Sequence, residues 1–96
     1  MKIIWSPRSE VELDKISEYL LSKWGQKVLE EFLNLIEDKV KAIATKPAQF
    51  PLLIKSKGIR KCVIRPQVSI FHWVRNGVIE TLSVWGNAWD PEYLDL

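Results

Sequence analysis

The chain has 96 residues, 47% of them apolar, which is enough for one globular domain spanning 1–96 and too little for two. Its one cysteine, Cys62, excludes a disulfide scaffold, and its short apolar runs fall far below the roughly 20 residues needed to cross a bilayer. With no leader-like apolar stretch at the start, the expected compartment is the cytoplasm, without membrane attachment.

The net charge of +2 hides a partition along the chain. Residues 1–45 hold seven Lys/Arg and eight Asp/Glu, a mixed surface. Residues 46–77 hold seven bases (Lys46, Lys55, Lys57, Arg60, Lys61, Arg65, Arg75) and no acid, and residues 78–96 hold four acids and no base. A basic block of this kind suits a polyanion or an acidic partner.

In chain order, Lys2–Trp5 is a short strand and Ser6-Pro7 a helix start, serine as N-cap and proline in the first turn. Leu13, Ile16, Leu20 and Trp24 then recur at helical spacing, and Gly25 ends the helix. Leu29, Phe32, Leu33, Ile36, Val40 and Ile43 mark a second helix, bounded by Pro47. So short a link folds the two helices back as an antiparallel hairpin. Lys46–Gly58, with two prolines and a glycine, reads as loop. Three strands follow: Ile59–Arg65, Val68–Arg75 across Pro66-Gln67, and Val78–Trp85 across Asn76-Gly77, a strong hairpin signal. Gly86–Leu96 reads as an irregular tail. The expected class is α+β: a short N-terminal strand, a helical hairpin and a three-stranded antiparallel meander.

With two-residue turns, Trp73 is expected opposite Glu80, Arg75 opposite Val78, Phe71 opposite Leu82, Lys61 opposite His72 and Arg60 opposite Trp73. One face then carries Cys62, Ile64, Phe71, Trp73, Val78, Leu82 and Val84 against the helices. The open face carries Lys61, Arg65, His72, Thr81 and Ser83 among Ile59, Val63, Ile70 and Val74. A one-residue slip at the Pro66 turn would exchange the faces of the adjoining strand.

No glycine-rich phosphate loop, paired cysteine or histidine cluster is present, so neither a cofactor nor a metal is expected. In this register Cys62 and His72 lie on opposite faces, and a buried structural cysteine is the simpler reading of Cys62. His72 reads more readily as a structural or contact residue than as a general base. Trp5, Trp24 and Trp73 are expected in the core, while Trp85 and Trp89 have no assigned place. Lys55 and Lys57 fit a solvated loop rim as well as a binding strip.

Several stretches, taken in order, resemble one family. They are Trp5-Ser6-Pro7 after a short strand, Lys23-Trp24-Gly25 closing a helix, Lys46-Pro47-Ala48-Gln49-Phe50-Pro51, the strand Ile59–Ile64, and the ending Trp85–Pro91. Together they resemble the RelE/ParE superfamily of bacterial type II toxins, over nearly the whole chain. The resemblance implies a growth-inhibiting toxin, held inactive by a cognate antitoxin encoded beside it. The RelE branch cleaves messenger RNA on the ribosome, and the ParE branch inhibits DNA gyrase. Related sequences carry an arginine where this chain has Ala88. Arg60, Lys61, Arg65, His72 and Tyr93 remain as candidates for acid–base work or charge stabilisation. Lys55, Lys57, Arg60, Lys61 and Arg65 are the candidate target-binding strip. The closely linked hairpin resembles the ParE branch, so the favoured expectation is an inhibitor that acts by binding. A ribosome-dependent endoribonuclease and a degenerate, non-toxic antitoxin partner stay open, and with them whether the chain is an enzyme.

Overall fold

Ser6 turns the chain from a strand into a helix. In the computed structural model, which describes residues 1–86 and Leu96, Ile3–Trp5 forms β1 and Pro7–Trp24 forms α1. The Ser6 Oγ accepts from the Ser9 N–H at 3.1 Å, an N-cap bond with proline in the first turn. Gly25 ends α1 at φ +90°, a value L side chains rarely adopt, and its N–H donates to the Leu21 carbonyl at 3.1 Å. α2, Gln26–Thr45, starts at the next residue, which produces the expected hairpin.

After α2 come β2 (Leu52–Ile54), β3 (Ile59–Arg65), β4 (Val68–Arg75) and β5 (Val78–Gly86). Short 3-10 turns at Pro47–Gln49 and Lys55–Lys57 flank β2. At the β4–β5 hairpin Asn76 and Gly77 both take positive φ, 52° and 73°, as a type I′ turn requires. The five strands form one sheet in the order β1-β5-β4-β3-β2, with β1 parallel to β5 and the other pairs antiparallel.

The expected antiparallel meander is present as β3, β4 and β5, but the sheet is not three-stranded: β1 adds in parallel at one edge and β2 at the other, making it mixed. β2 lies in the segment read as loop. It is three residues long and pairs through Leu52↔Arg60 and Ile54↔Ile59 with an irregularity between them, so no alternation could show beside Pro47, Pro51 and Gly58.

The register departs as well. Arg75↔Val78 and Trp73↔Glu80 pair as expected, but Lys61 faces Phe71, and Arg60 faces His72. A register shift between Val63 and Arg65 slips β3 by one residue against β4. A second shift leaves Leu82 without a partner between Thr81 and Ser83, so that Phe71 faces Ser83. Because side chains alternate with period two, each slip exchanges faces.

The core between sheet and helices therefore holds Cys62, Ile64, Ile70, Ile79 and Val84 against Ile16, Phe32, Ile36 and Ile43. Ile70 joins the core, where Phe71, Trp73 and Leu82 had been expected; these three pack on the opposite face around Ile59 and Trp85. His72 and Thr81, expected on the open face, are buried. Cys62, Ile64 and Val84 lie where the sequence places them. Trp24 does not: it is 61% exposed, because the last turn of α1 borders a groove rather than the sheet. The tail reading of residues 87–95, with Ala88, Trp89 and Tyr93, falls outside the described residues.

Candidate functional site

The basic side chains singled out by the sequence disperse over the sheet. Lys55 and Lys57 are exposed on the turn after β2, and the Lys57 Nζ donates to the Leu96 carbonyl at 2.7 Å. Arg75 closes this corner. Its Nη2 donates to the Lys57 carbonyl at 2.9 Å, and its guanidinium lies 3.9 Å over the Trp73 ring, a cation–π contact. The Trp73 Nε1 donates to the Glu80 carboxylate at 3.1 Å.

Lys61 is partly exposed, opposite Phe71 on the sheet face away from the helices, while its main-chain N–H donates to the Pro51 carbonyl at 2.9 Å. Arg60, next to it, points to the other side. Its Nη1 donates to the Phe50 carbonyl at 2.7 Å and ties the segment before β2 to β3.

His72, opposite Arg60, has no exposed surface. The Phe50 ring stands edge-on to it at 5.6 Å between centroids, and its Nε2 is 3.5 Å from the Pro47 carbonyl. Burial pushes the imidazole pKa below its ordinary value; the Pro47 carbonyl opposes this and the Arg60 charge adds to it. The Nδ1 is buried without a hydrogen-bond partner. A neutral, enclosed ring of this kind is core, not an accessible base. Burial likewise pushes the Cys62 thiol up, with a smaller opposite effect from Lys39, so this cysteine is not an activated nucleophile.

Arg65 lies elsewhere again. The register shift before it turns it toward the helices, where it lines a groove of about 700 Å³. The groove opens at the Gly25 end of the helical hairpin. Tyr19, Leu20 and Trp24 of α1 form one wall, Val28 and Phe32 of α2 the floor, and Arg65 with Val68 the strand side. Tyr19 and Trp24 are 55% and 61% exposed, and the Lys23 Nζ lies 5.6 Å and 6.0 Å from their ring centroids. The Arg65 Nε is shut off from water and bonded to nothing.

Of the sequence-derived candidates, then, the structure brings together Arg60 with His72, and Lys55 with Lys57. It separates Lys61 from both pairs and sends Arg65 to the groove. Tyr93 lies outside the described residues. Sequence reasoning missed the groove; its trace was Lys23-Trp24-Gly25, a large aromatic in a last helical turn with a one-residue link behind it. Among the described residues no group of three or more His, Cys, Asp or Glu could hold a metal ion, and no helix is long and apolar enough to cross a membrane.

The family model described as the ParE toxin of the type II toxin–antitoxin system parDE matches residues 3–90. Among solved structures, the chain is similar to the chromosomal ParDE system from P. aeruginosa, with TM-score 0.75 and 19% identity over 90% of this chain and 95% of that one. It is also similar to a YoeB/ParE toxin from Agrobacterium tumefaciens (TM-score 0.61, 15% identity, 90% and 98% covered). A copper-bound mutant toxin from Helicobacter pylori matches at TM-score 0.58 and 23% identity over 92% and 96%. These likenesses establish a common fold. No curated protein sequence matches the chain significantly.

Proposed function

The chain belongs to the ParE toxin family of type II toxin–antitoxin systems, and on that premise we propose that it blocks growth by binding DNA gyrase in the cytoplasm and is neutralised by a cognate antitoxin. The observation that carries this reading is the dispersal of the basic side chains. RNA cleavage needs an acid, a base and a charge stabiliser within hydrogen-bond reach of one phosphate, about 2.6–3.2 Å. Here Arg60 is engaged by the Phe50 carbonyl, His72 is enclosed, and Arg65 lines the groove at the helices. Among the described candidates, what stays accessible is Lys61 on β3 and Lys55 and Lys57 on the turn before it, separate cations suited to binding rather than chemistry. The exposed aromatic groove of the helical hairpin is the antitoxin's docking surface in this reading.

The test is a paired assay on the purified chain. Inhibition of gyrase supercoiling, with messenger RNA left intact on translating ribosomes, is the expected result. Transcript cleavage on ribosomes with normal supercoiling would replace it with the endoribonuclease reading. Unimpaired growth on expression without an antitoxin would leave only a non-toxic antitoxin partner.

A further inference from the structure

We propose that Arg65 reads a carboxylate in the groove at the Gly25 end of the helical hairpin, so that the segment filling it pairs large apolar side chains with an Asp or Glu. This deepens the antitoxin-docking reading of the groove and rests on it. Three observations converge. The walls are apolar and aromatic, with Tyr19 and Trp24 more than half exposed although each could bury a large area. Among the described residues, the charged side chains lining the groove, Lys15 and Arg65, are both cations. The Arg65 Nε is sealed from water yet makes no hydrogen bond, and buried donors in native proteins are nearly always paired.

The guanidinium edge that includes Nε presents two parallel N–H groups, which match the two oxygens of a carboxylate. A rotamer change that turns the Nε edge of Arg65 into the groove would present it to a carboxylate entering beside Val68 and satisfy the orphaned donor in surroundings poor in water, where a charge-assisted bond is strong. Apolar neighbours on the same segment would cover Tyr19 and Trp24. An amphipathic helix with an acid flanking its apolar stripe has this chemistry. A neutral apolar segment would leave the Arg65 Nε unpaired, so the groove discriminates by charge as well as by shape.

The experiment titrates the whole chain, labelled with ¹⁵N, with two synthetic helical peptides. One carries leucines at i, i+4 and i+7 with glutamates beside them, and the other has each glutamate replaced by glutamine. The glutamate peptide is expected to bind about tenfold more tightly, shifting the Trp24 indole and Arg65 Nε–H resonances together. In Arg65→Gln the two peptides bind equally, and in Arg65→Lys a reduced preference survives, which separates charge from fold. Equal binding of both peptides to the native chain, or a preference that persists in Arg65→Gln, overturns the proposal. So does a dilution-dependent Arg65 shift without peptide, which would mean a second copy fills the groove. An antitoxin that neutralises the toxin without moving the Arg65 resonance would leave the docking partner standing and remove this role for Arg65.

Discussion

Glu12 on α1 accepts a hydrogen bond from the main-chain N–H of Val84 on β5, at 3.2 Å across 72 positions of sequence. The same oxygen accepts from the Ser83 Oγ at 2.8 Å. β1 stops pairing with β5 at Trp5↔Thr81, and the first turns of α1 take over where the strand ends. The Ser6 N–H donates to the Thr81 carbonyl at 3.2 Å, and the Ser6 Oγ to the Leu82 carbonyl at 3.3 Å. The Ser9 and Thr81 hydroxyls lie 2.7 Å apart. A helix thus serves β5 with side chains beyond the end of its partner strand, beside the unpaired Leu82, where main-chain groups would otherwise lack partners.

Glu12→Ala should therefore destabilise the domain by about 1–3 kcal/mol, the cost of stranding the Val84 donor and the Ser83 hydroxyl. Glu12→Gln keeps an acceptor oxygen and should lose less. Urea unfolding of the three proteins side by side measures both, with an unchanged m-value for each variant.

His72 makes stability depend on pH. Its folded pKa is depressed by burial, so the unfolded chain takes up a proton first as pH falls. The stabilisation is complete above the unfolded value, near 6.5, and is lost as pH falls from there through the lower folded value. Thermal unfolding from pH 8 to pH 5 should show a flat plateau followed by decline, and His72→Phe should remove the part of the decline just below pH 6.5.

Cys62 is fully buried with a raised pKa. In the native protein it should resist a disulfide exchange reagent at pH 8, and react fully once urea unfolds the chain. Fast labelling without denaturant would contradict the core position assigned to it.

Arg60 and Lys61 are adjacent in sequence but should behave differently. Arg60→Ala removes the bond to the Phe50 carbonyl and should cost about 1.5–3 kcal/mol, the range for bonds to a charged group. Lys61→Ala, at a partly exposed side chain, should change stability by less than about 0.5 kcal/mol and still lower toxicity. Melting curves paired with growth assays separate the two effects.

Much of the secondary structure was legible locally. Ser6-Pro7, the helical stripes, Gly25 and Asn76-Gly77 carry their own conformational signals, because caps, periodicity and left-handed turns depend on residues a few positions apart. β2 was not legible, since three residues between prolines show no alternation and are held by pairing with β3. The candidate site was legible only as a list of basic residues. Which of them meet depended on the faces of β3 and β4, and one shifted pairing near Val63 decided that.

The basic block without acids belongs to the sequence alone, since no folding can add a carboxylate to residues 46–77. So does the helical hairpin, whose one-residue link leaves no other arrangement. The tertiary structure decided where those charges point. Two register shifts, each a single residue in a lattice of period two, exchanged Phe71 and Trp73 for Ile70 and His72 at the helical side. They also turned Arg65 away from the open face. The groove it lines joins α1, α2 and the β3–β4 turn, segments far apart in the chain, and only packing could bring them together.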